Sequence, residues 1–168
     1  IGPNKDSKDR LNDYLIGLRN FHDIADYITI NISSPNTENL RNFHDEKKFD
    51  ELINSINKEK NRLKSSIPIV VKISPDISEK QIELISEILL EHKVAAVIIS
   101  NTTANNRANL QDITKYQKGG LSGKPLEDIS NVLVSKFYKL LKNKIKIIGV
   151  DKVDSGGSAY KKFLEGAS

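Results

Sequence analysis

Four short apolar runs, at residues 27–32, 67–71, 94–99 and 145–150, alternate along the chain with segments whose apolar residues recur at helical spacing. Leu11, Tyr14, Leu15, Leu18 and Phe21 mark a helix before the first run, and Phe49, Leu52, Ile53 and Ile56 mark one before the second. Ile82, Ile85, Ile88 and Leu89 follow Ser78 and Gln81, the pair expected of a capping box. Ile129, Val132, Leu133, Phe137, Leu140 and Leu141 predict a fourth helix, and residues 158–164 the start of a last one. Continuous apolar strands separated by helices are parallel-sheet material, so the order is (αβ)₄α.

Each run gives way to a side chain that resists burial: Asn31 after Ile30, Lys72 after Val71, Asn101 after Ile99 and Ser100, and Asp151 after Val150. Taken singly, Asn and Asp are helix caps and a lysine reaches back to water. Four in succession point instead to a shared site. Both α/β barrels and open doubly wound sheets gather their ligands at the carboxyl ends of the strands.

Length and composition set the bounds on that site. A chain of 168 residues, 38% hydrophobic and 29% charged, is sized for one folded domain spanning 1–168 and is unlike a disordered one. No run approaches the roughly 20 apolar residues of a membrane span, and no stretch of these residues reads as a signal peptide. The formal charge of +4 comes from scattered clusters such as Lys47-Lys48, Lys58-Glu59-Lys60 and Lys142-Asn143-Lys144, which read as solvated helix faces and not as a nucleic-acid groove. The absence of cysteine excludes disulfides, thiolate catalysis and Cys-ligated zinc. His22, His44 and His92 lack metal-ligand spacing, so no metal is expected. The chain opens on Ile1 and contains no methionine, as expected of a piece of a longer product.

Two polar segments carry the chemistry. NISSPNTENLR, from Asn31 to Arg41, offers more hydroxyls and carboxamides than a turn requires. GGLSGKPL, from Gly119 to Leu126, combines three glycines with Ser122 ahead of a helix, a composition suited to cradling phosphate but equally to a plain glycine-rich turn.

Taken in order, NISSPNT, VVKISPD (70–76), IISNTT (98–103), GGLSGKPL and DSGGSAYKKFLEGAS (154–168) resemble the dihydroorotate dehydrogenases. The resemblance covers nearly the whole chain, and the opening IGPNKDS is similar to a loop that follows an earlier strand of the family's barrel. It implies part of a (β/α)₈ TIM barrel, about four βα units, without the early strands and the last one. The implied activity is FMN-dependent oxidation of dihydroorotate to orotate in pyrimidine biosynthesis. By the resemblance, Ser34 is the catalytic base, and serine at that position marks the quinone-reducing, membrane-associated class. Asn31, Asn36, Asn101 and Thr102 match positions that hold substrate. Asn31, Lys72, Ser122 and Gly123 match cofactor positions, with Lys72 beside the flavin ring and Ser122 and Gly123 at the phosphate. The quinone site and the membrane contact are expected in segments outside this chain, at a bacterial cytoplasmic or mitochondrial inner membrane.

The sequence departs from the family in two places. Asn39 stands where the family usually has glycine, a mild change because Asn tolerates a left-handed backbone. Asp151 and Lys152 stand where the family tends to have Gly-Gly, which brings a carboxylate to where the phosphate dianion is expected. Two other readings follow. An incomplete or degenerate barrel would be inactive alone and act at most as a binding or self-associating module, and a different FMN barrel would share GGLSG but not NISSPNT.

Overall fold

The computed structural model describes residues 1–37, 39–105, 107 and 110–168. The helices are α1 (Arg10–Phe21), α2 (Glu46–Arg62), α3 (Glu79–Glu91), α4 (Glu127–Leu141) and α5 (Gly156–Leu164), and the strands are β1 (Ile28–Asn31), β2 (Ile69–Lys72), β3 (Ala96–Ile99) and β4 (Lys146–Gly149). Three helices start on side-chain caps. Asp9 accepts from Asn12 N–H at 3.0 Å, and Ser78 and Gln81 form the expected capping box at α3. The last helix begins earlier than its apolar spacing predicts, because Ser155 is the cap and Ser158 is the third helical residue answering it. The strands are shorter than the apolar runs at their amino ends. Pro68 has no N–H to give to a ladder, and β2 starts one residue after it.

The four strands lie side by side in the order β1-β2-β3-β4, all parallel, with Asn31 opposite Lys72 and Lys72 opposite Ile98. Pleating gives the sheet two unlike faces. Ile28, Ile30, Ile69, Val71, Val97, Ile99 and Ile147 are buried with Leu18, Phe49, Ile53, Ile85, Leu89, Val134 and Phe137 of the helices, forming the hydrophobic core. Thr29, Val70, Ala96, Ile98 and Ile148 alternate with them on the opposite face, where Asn31 and Lys72 also lie and where Thr29, Ile98 and Ile148 are only half-buried. Both outer strands carry a further ladder-like contact. The Ile1 nitrogen donates to the Thr29 carbonyl at 2.7 Å and its carbonyl accepts from Asn31 N–H at 3.0 Å, while Ser168 N–H donates to the Ile147 carbonyl at 2.8 Å.

Candidate active site

The polar ends of β1, β2 and β3 meet on one rim. At the end of β1, the Asn31 side-chain oxygen accepts from Ser33 N–H (3.2 Å), Ser33 Oγ (2.9 Å) and Asn101 Nδ2 (3.3 Å). Its amide nitrogen donates to no described residue, which leaves it available to a ligand. The Asn31 carbonyl is fixed from below by the hydroxyl of Tyr14, at 2.7 Å. Tyr14 is fully buried, and that burial raises its phenol above the ordinary range against a smaller opposing effect of Arg10, so it stays a neutral donor. Helical spacing identifies Tyr14 only as a core residue, since its partner is remote in sequence.

Asn101 gives both of its described amide hydrogen bonds inward, to Asn31 and to Ser33 Oγ (2.9 Å), while its oxygen accepts from Thr102 N–H at 2.8 Å. It thereby orients Asn31 and Ser33. Ser34, the next residue, is half-buried, and its Oγ accepts from Asn36 N–H at 3.2 Å in a local turn. Its hydroxyl meets no carboxylate or imidazole among the described residues. Asn36 itself is exposed, and it borders an open cleft of about 800 Å³ formed with Pro35, Ala104, Arg107 and Tyr116. Lys72 stands beside Asn31 in the ladder, half-exposed, and its ammonium makes no hydrogen bond to any described residue.

Behind these groups lies a network absent from the predicted set. Arg41 donates through Nε to the Ser33 carbonyl (3.3 Å), through one terminal nitrogen to Asp76 (2.7 Å) and through the other to the Thr102 carbonyl (3.0 Å). Asp76 also accepts from Thr103 Oγ1 (2.5 Å) and Ala104 N–H (3.0 Å). Burial alone would raise its carboxyl, but these bonds and the Arg41 charge outweigh it and hold the group below the usual carboxylate range. Both residues occur in the quoted motifs, Arg41 closing NISSPNTENLR and Asp76 closing VVKISPD. An Arg and an Asp ending two loops at neighbouring strand ends is the signal that would have found them. Asn39, just before the 3₁₀ turn Leu40–His44, has φ 56°, the left-handed backbone expected where the family has glycine.

The glycine segment is stitched to the β3 loop, since Thr103 and Leu121 exchange backbone hydrogen bonds at 3.0 and 2.8 Å. A Cβ at Gly120 would collide with the Thr102 hydroxyl, which explains that glycine. Gly123, at φ 80°, opens onto empty space beside the exposed Ser122 and leads through a 3₁₀ turn into α4. The Lys72 ammonium and the Asn31 side-chain nitrogen, neither bonded to a described residue, and the exposed Ser122 hydroxyl and open backbone at Gly123 are donors of the kind that could hold a phosphorylated, electron-accepting ring system.

The end of β4 follows another course. Asp151 and Lys152 both take left-handed conformations, φ 71° and 52°, the region glycine would fill without strain. Asp151 turns its carboxylate to Ser100, accepting from the N–H at 3.3 Å and from Oγ at 2.9 Å. Burial pushes its carboxyl up, opposed by those bonds and by the charges of Lys162 and Lys72. Lys152 pairs with Asp154 and makes no ion pair with Asp151. Beneath the loop the ammonium of Lys162, only 3% exposed as a residue, donates to Ser130 Oγ (2.5 Å), which donates to the Val150 carbonyl (2.9 Å). Desolvation lowers the Lys162 pKa, with Asp151 and Glu127 opposing. Among the described residues no group of three His, Cys, Asp or Glu side chains is placed to hold a metal, and no helix is long and apolar enough to cross a membrane. His44 is buried, and its ring spans the Arg41 carbonyl at Nδ1 (2.9 Å) and Ser74 N–H at Nε2 (3.2 Å), a packing role.

A run of parallel strands backed by helices, with carboxamides, hydroxyls and a lysine gathered at the carboxyl ends, has the form of a segment of an α/β barrel, a fold whose ligand sites lie on the strand-end rim. The dihydroorotate dehydrogenase family model matches residues 1–168, and the chain belongs to that family. It is 43% identical to the dihydroorotate dehydrogenase (quinone) of Buchnera aphidicola subsp. Schizaphis graminum, over 100% of this chain and 52% of that protein. Against the enzyme of the same name from Wigglesworthia glossinidia brevipalpis the figures are 42%, 100% and 52%. The crystal structure of Eimeria tenella DHODH in complex with ferulenol superposes with a TM-score of 0.93 at 30% identity, covering 99% of this chain and 49% of that one. The fold is therefore part of a (β/α)₈ barrel, and the chain spans about half the length of the curated relatives it matches.

Proposed function

We propose that residues 1–168 form part of an FMN-binding barrel domain that oxidises dihydroorotate to orotate, with a quinone as final electron acceptor, in pyrimidine biosynthesis. The observation that carries this reading is the hydrogen-bonded cluster of Asn31, Ser33 and Asn101, flanked by Ser34 on one side and by the unpaired Lys72 on the other. Bound FMN would supply the two-electron sink that no amino-acid side chain provides. Quinone reduction and membrane association belong, in this reading, to segments outside residues 1–168.

Removing a proton from carbon 5 of dihydroorotate calls for an acceptor, and the assigned residue is Ser34. A serine hydroxyl is a feeble base in water. Its half-buried position reduces competition from solvent, and the Asn36 N–H bond leaves it a free lone pair and a rotatable proton. Asn31, with its oxygen saturated and its amide nitrogen free, is set to donate to a ring oxygen. Asn36, on the open cleft beside Pro35, and Thr102, next to Asn101, are assigned to the substrate as well, and Asn101 contributes by holding Asn31 in its donating orientation. Lys72 would place a positive charge where negative charge accumulates on reduction. Ser122 and Gly123 would take the phosphate.

The test is made in a full-length chain that carries these residues. Ser34→Ala is expected to retain flavin while slowing its reduction by dihydroorotate at least about a hundredfold, the scale of a lost general base. Lys72→Ala is expected to weaken flavin binding as well. Reduction of the Ser34→Ala protein at the parent rate would remove Ser34 as the base.

A further inference from the structure

The Arg41 guanidinium bonds to three chain segments through three different nitrogens. Nε takes the carbonyl of Ser33, which immediately precedes Ser34, and one terminal nitrogen takes the carbonyl of Thr102, on the β3 side of the rim. The third contact, to Asp76 at 2.7 Å, is anchored in the β2 loop, where Ser74 Oγ accepts from Asp76 N–H at 3.1 Å. Asp76 uses its other oxygen on Thr103 and takes Ala104 N–H as well, so it grips the β3 loop at two further points. The side chains of Arg41 and Asp76 are 25% and 14% exposed, so solvent screens them less than an open surface pair. A lysine ammonium would lack the planar fork needed to satisfy these directions together.

Ser33 is therefore held from two sides. Asn101 binds its hydroxyl on the ligand side at 2.9 Å, and Arg41 binds its carbonyl from behind. We propose that Arg41 and Asp76 are a positioning pair that fixes the Ser34 segment against the Asn101 and Thr102 segment, setting the gap across which the base meets its substrate. This rests on the reading of Ser34 as the proton acceptor. Neither residue touches the substrate in this assignment. Their effect passes through the main chain of residues 33 and 102, and a displacement of about 1 Å at a reacting group can cost a hundredfold in rate.

The experiment uses a full-length chain carrying these residues, with Arg41→Lys, which keeps the charge and removes the fork, and Asp76→Asn, which keeps the shape and removes the charge. Each is made alone and in the S34A background. Expected for both variants is a slowing of flavin reduction by about tenfold to a hundredfold, with orotate affinity changed by less than about threefold. Amide hydrogen exchange across residues 33–37 should speed up in the absence of substrate. In the S34A background the two substitutions should have no further effect on reduction, because the group they position is gone. Equal slowing in both backgrounds, or unchanged exchange in residues 33–37, would overturn the positioning role. If S34A alone reduces flavin at the parent rate, the base assignment fails, and the exchange measurement still decides whether Arg41 and Asp76 hold the segment.

Discussion

Asp151 takes two hydrogen bonds from Ser100, one from its amide and one from its hydroxyl, and so joins the carboxyl ends of β4 and β3. The carboxylate expected to oppose a bound phosphate is thereby turned toward the neighbouring strand. Its cost appears in its own ionisation, because burial raises its pKa in the folded chain. A carboxyl with a raised folded pKa supports the fold fully below its ordinary value, and that support is lost as pH rises through the folded value.

Asp151→Asn keeps an acceptor for Ser100 and a residue that tolerates the left-handed backbone, while removing the desolvated charge. At neutral pH it is expected to be as stable as the parent or more stable by up to about 1 kcal/mol, discounted because the group is partly exposed. The difference should vanish once Asp151 is itself protonated. Urea unfolding of both proteins at neutral pH and at about pH 3.5 checks this, and a parent that gains no relative stability in acid would contradict it.

Lys152 holds φ 52° with only an exposed pairing to Asp154 in return. Lys152→Gly is expected to stabilise by about 0.5–1 kcal/mol, the relief of left-handed strain less the greater freedom of glycine in the unfolded chain. The readout is the denaturation midpoint. A lowered midpoint would mean that the lysine side chain contributes more than its contacts indicate.

His44 accepts from Ser74 N–H at Nε2, so that nitrogen carries no proton, and Nδ1 donates to the Arg41 carbonyl. Burial lowers its pKa, with the Arg41 carbonyl bond opposing and the Arg41 charge assisting. The stability that depends on neutral His44 is present above its ordinary value of about 6.5, and falls as pH drops toward the folded value, by up to about 1.4 kcal/mol per unit. His44→Gln should flatten the unfolding profile between about pH 7 and pH 5 whatever its effect on absolute stability. A parallel profile in parent and variant would locate the acid sensitivity elsewhere.

The sheet face that carries Asn31 and Lys72 is only partly covered, with Thr29, Ile98 and Ile148 half-buried, and Tyr160, Phe163 and Leu164 of α5 are exposed. Residues 1–168 expressed alone are expected to lose FMN on gel filtration and to leave dihydroorotate unoxidised. A monomer that keeps a yellow, reducible flavin would show that these residues suffice for the site.

The alternation of periods revealed the fold class, since apolar runs and helical spacing follow from local geometry that no distant contact had to supply. The same logic placed Asn31, Lys72, Asn101 and Asp151 at strand ends and identified the Ser78 and Gln81 box. It placed the start of α5 at Ser158, because Gly156 and Gly157 carry no side chain to show a helical stripe. The bonds from Tyr14 to Asn31, from Arg41 to Asp76 and from Arg41 to Thr102 were not legible, because they span 17, 35 and 61 residues of chain and depend on how loops from different strands come together. The direction of the Asp151 carboxylate was hidden for the same reason. Only the neighbouring strand offers Ser100.

The left-handed pair after β4 has one more consequence. Its course is imposed by its frame, with Val150 N–H bound to the Ile99 carbonyl at 2.8 Å before it and Asp154, Ser155 and Ser158 locked into a cap after it. Shape and charge are therefore separable at this bend. The charge of the rim and the path of its main chain thus rest on different residues, the first on Asp151 and Lys152 and the second on the bonds to either side of them.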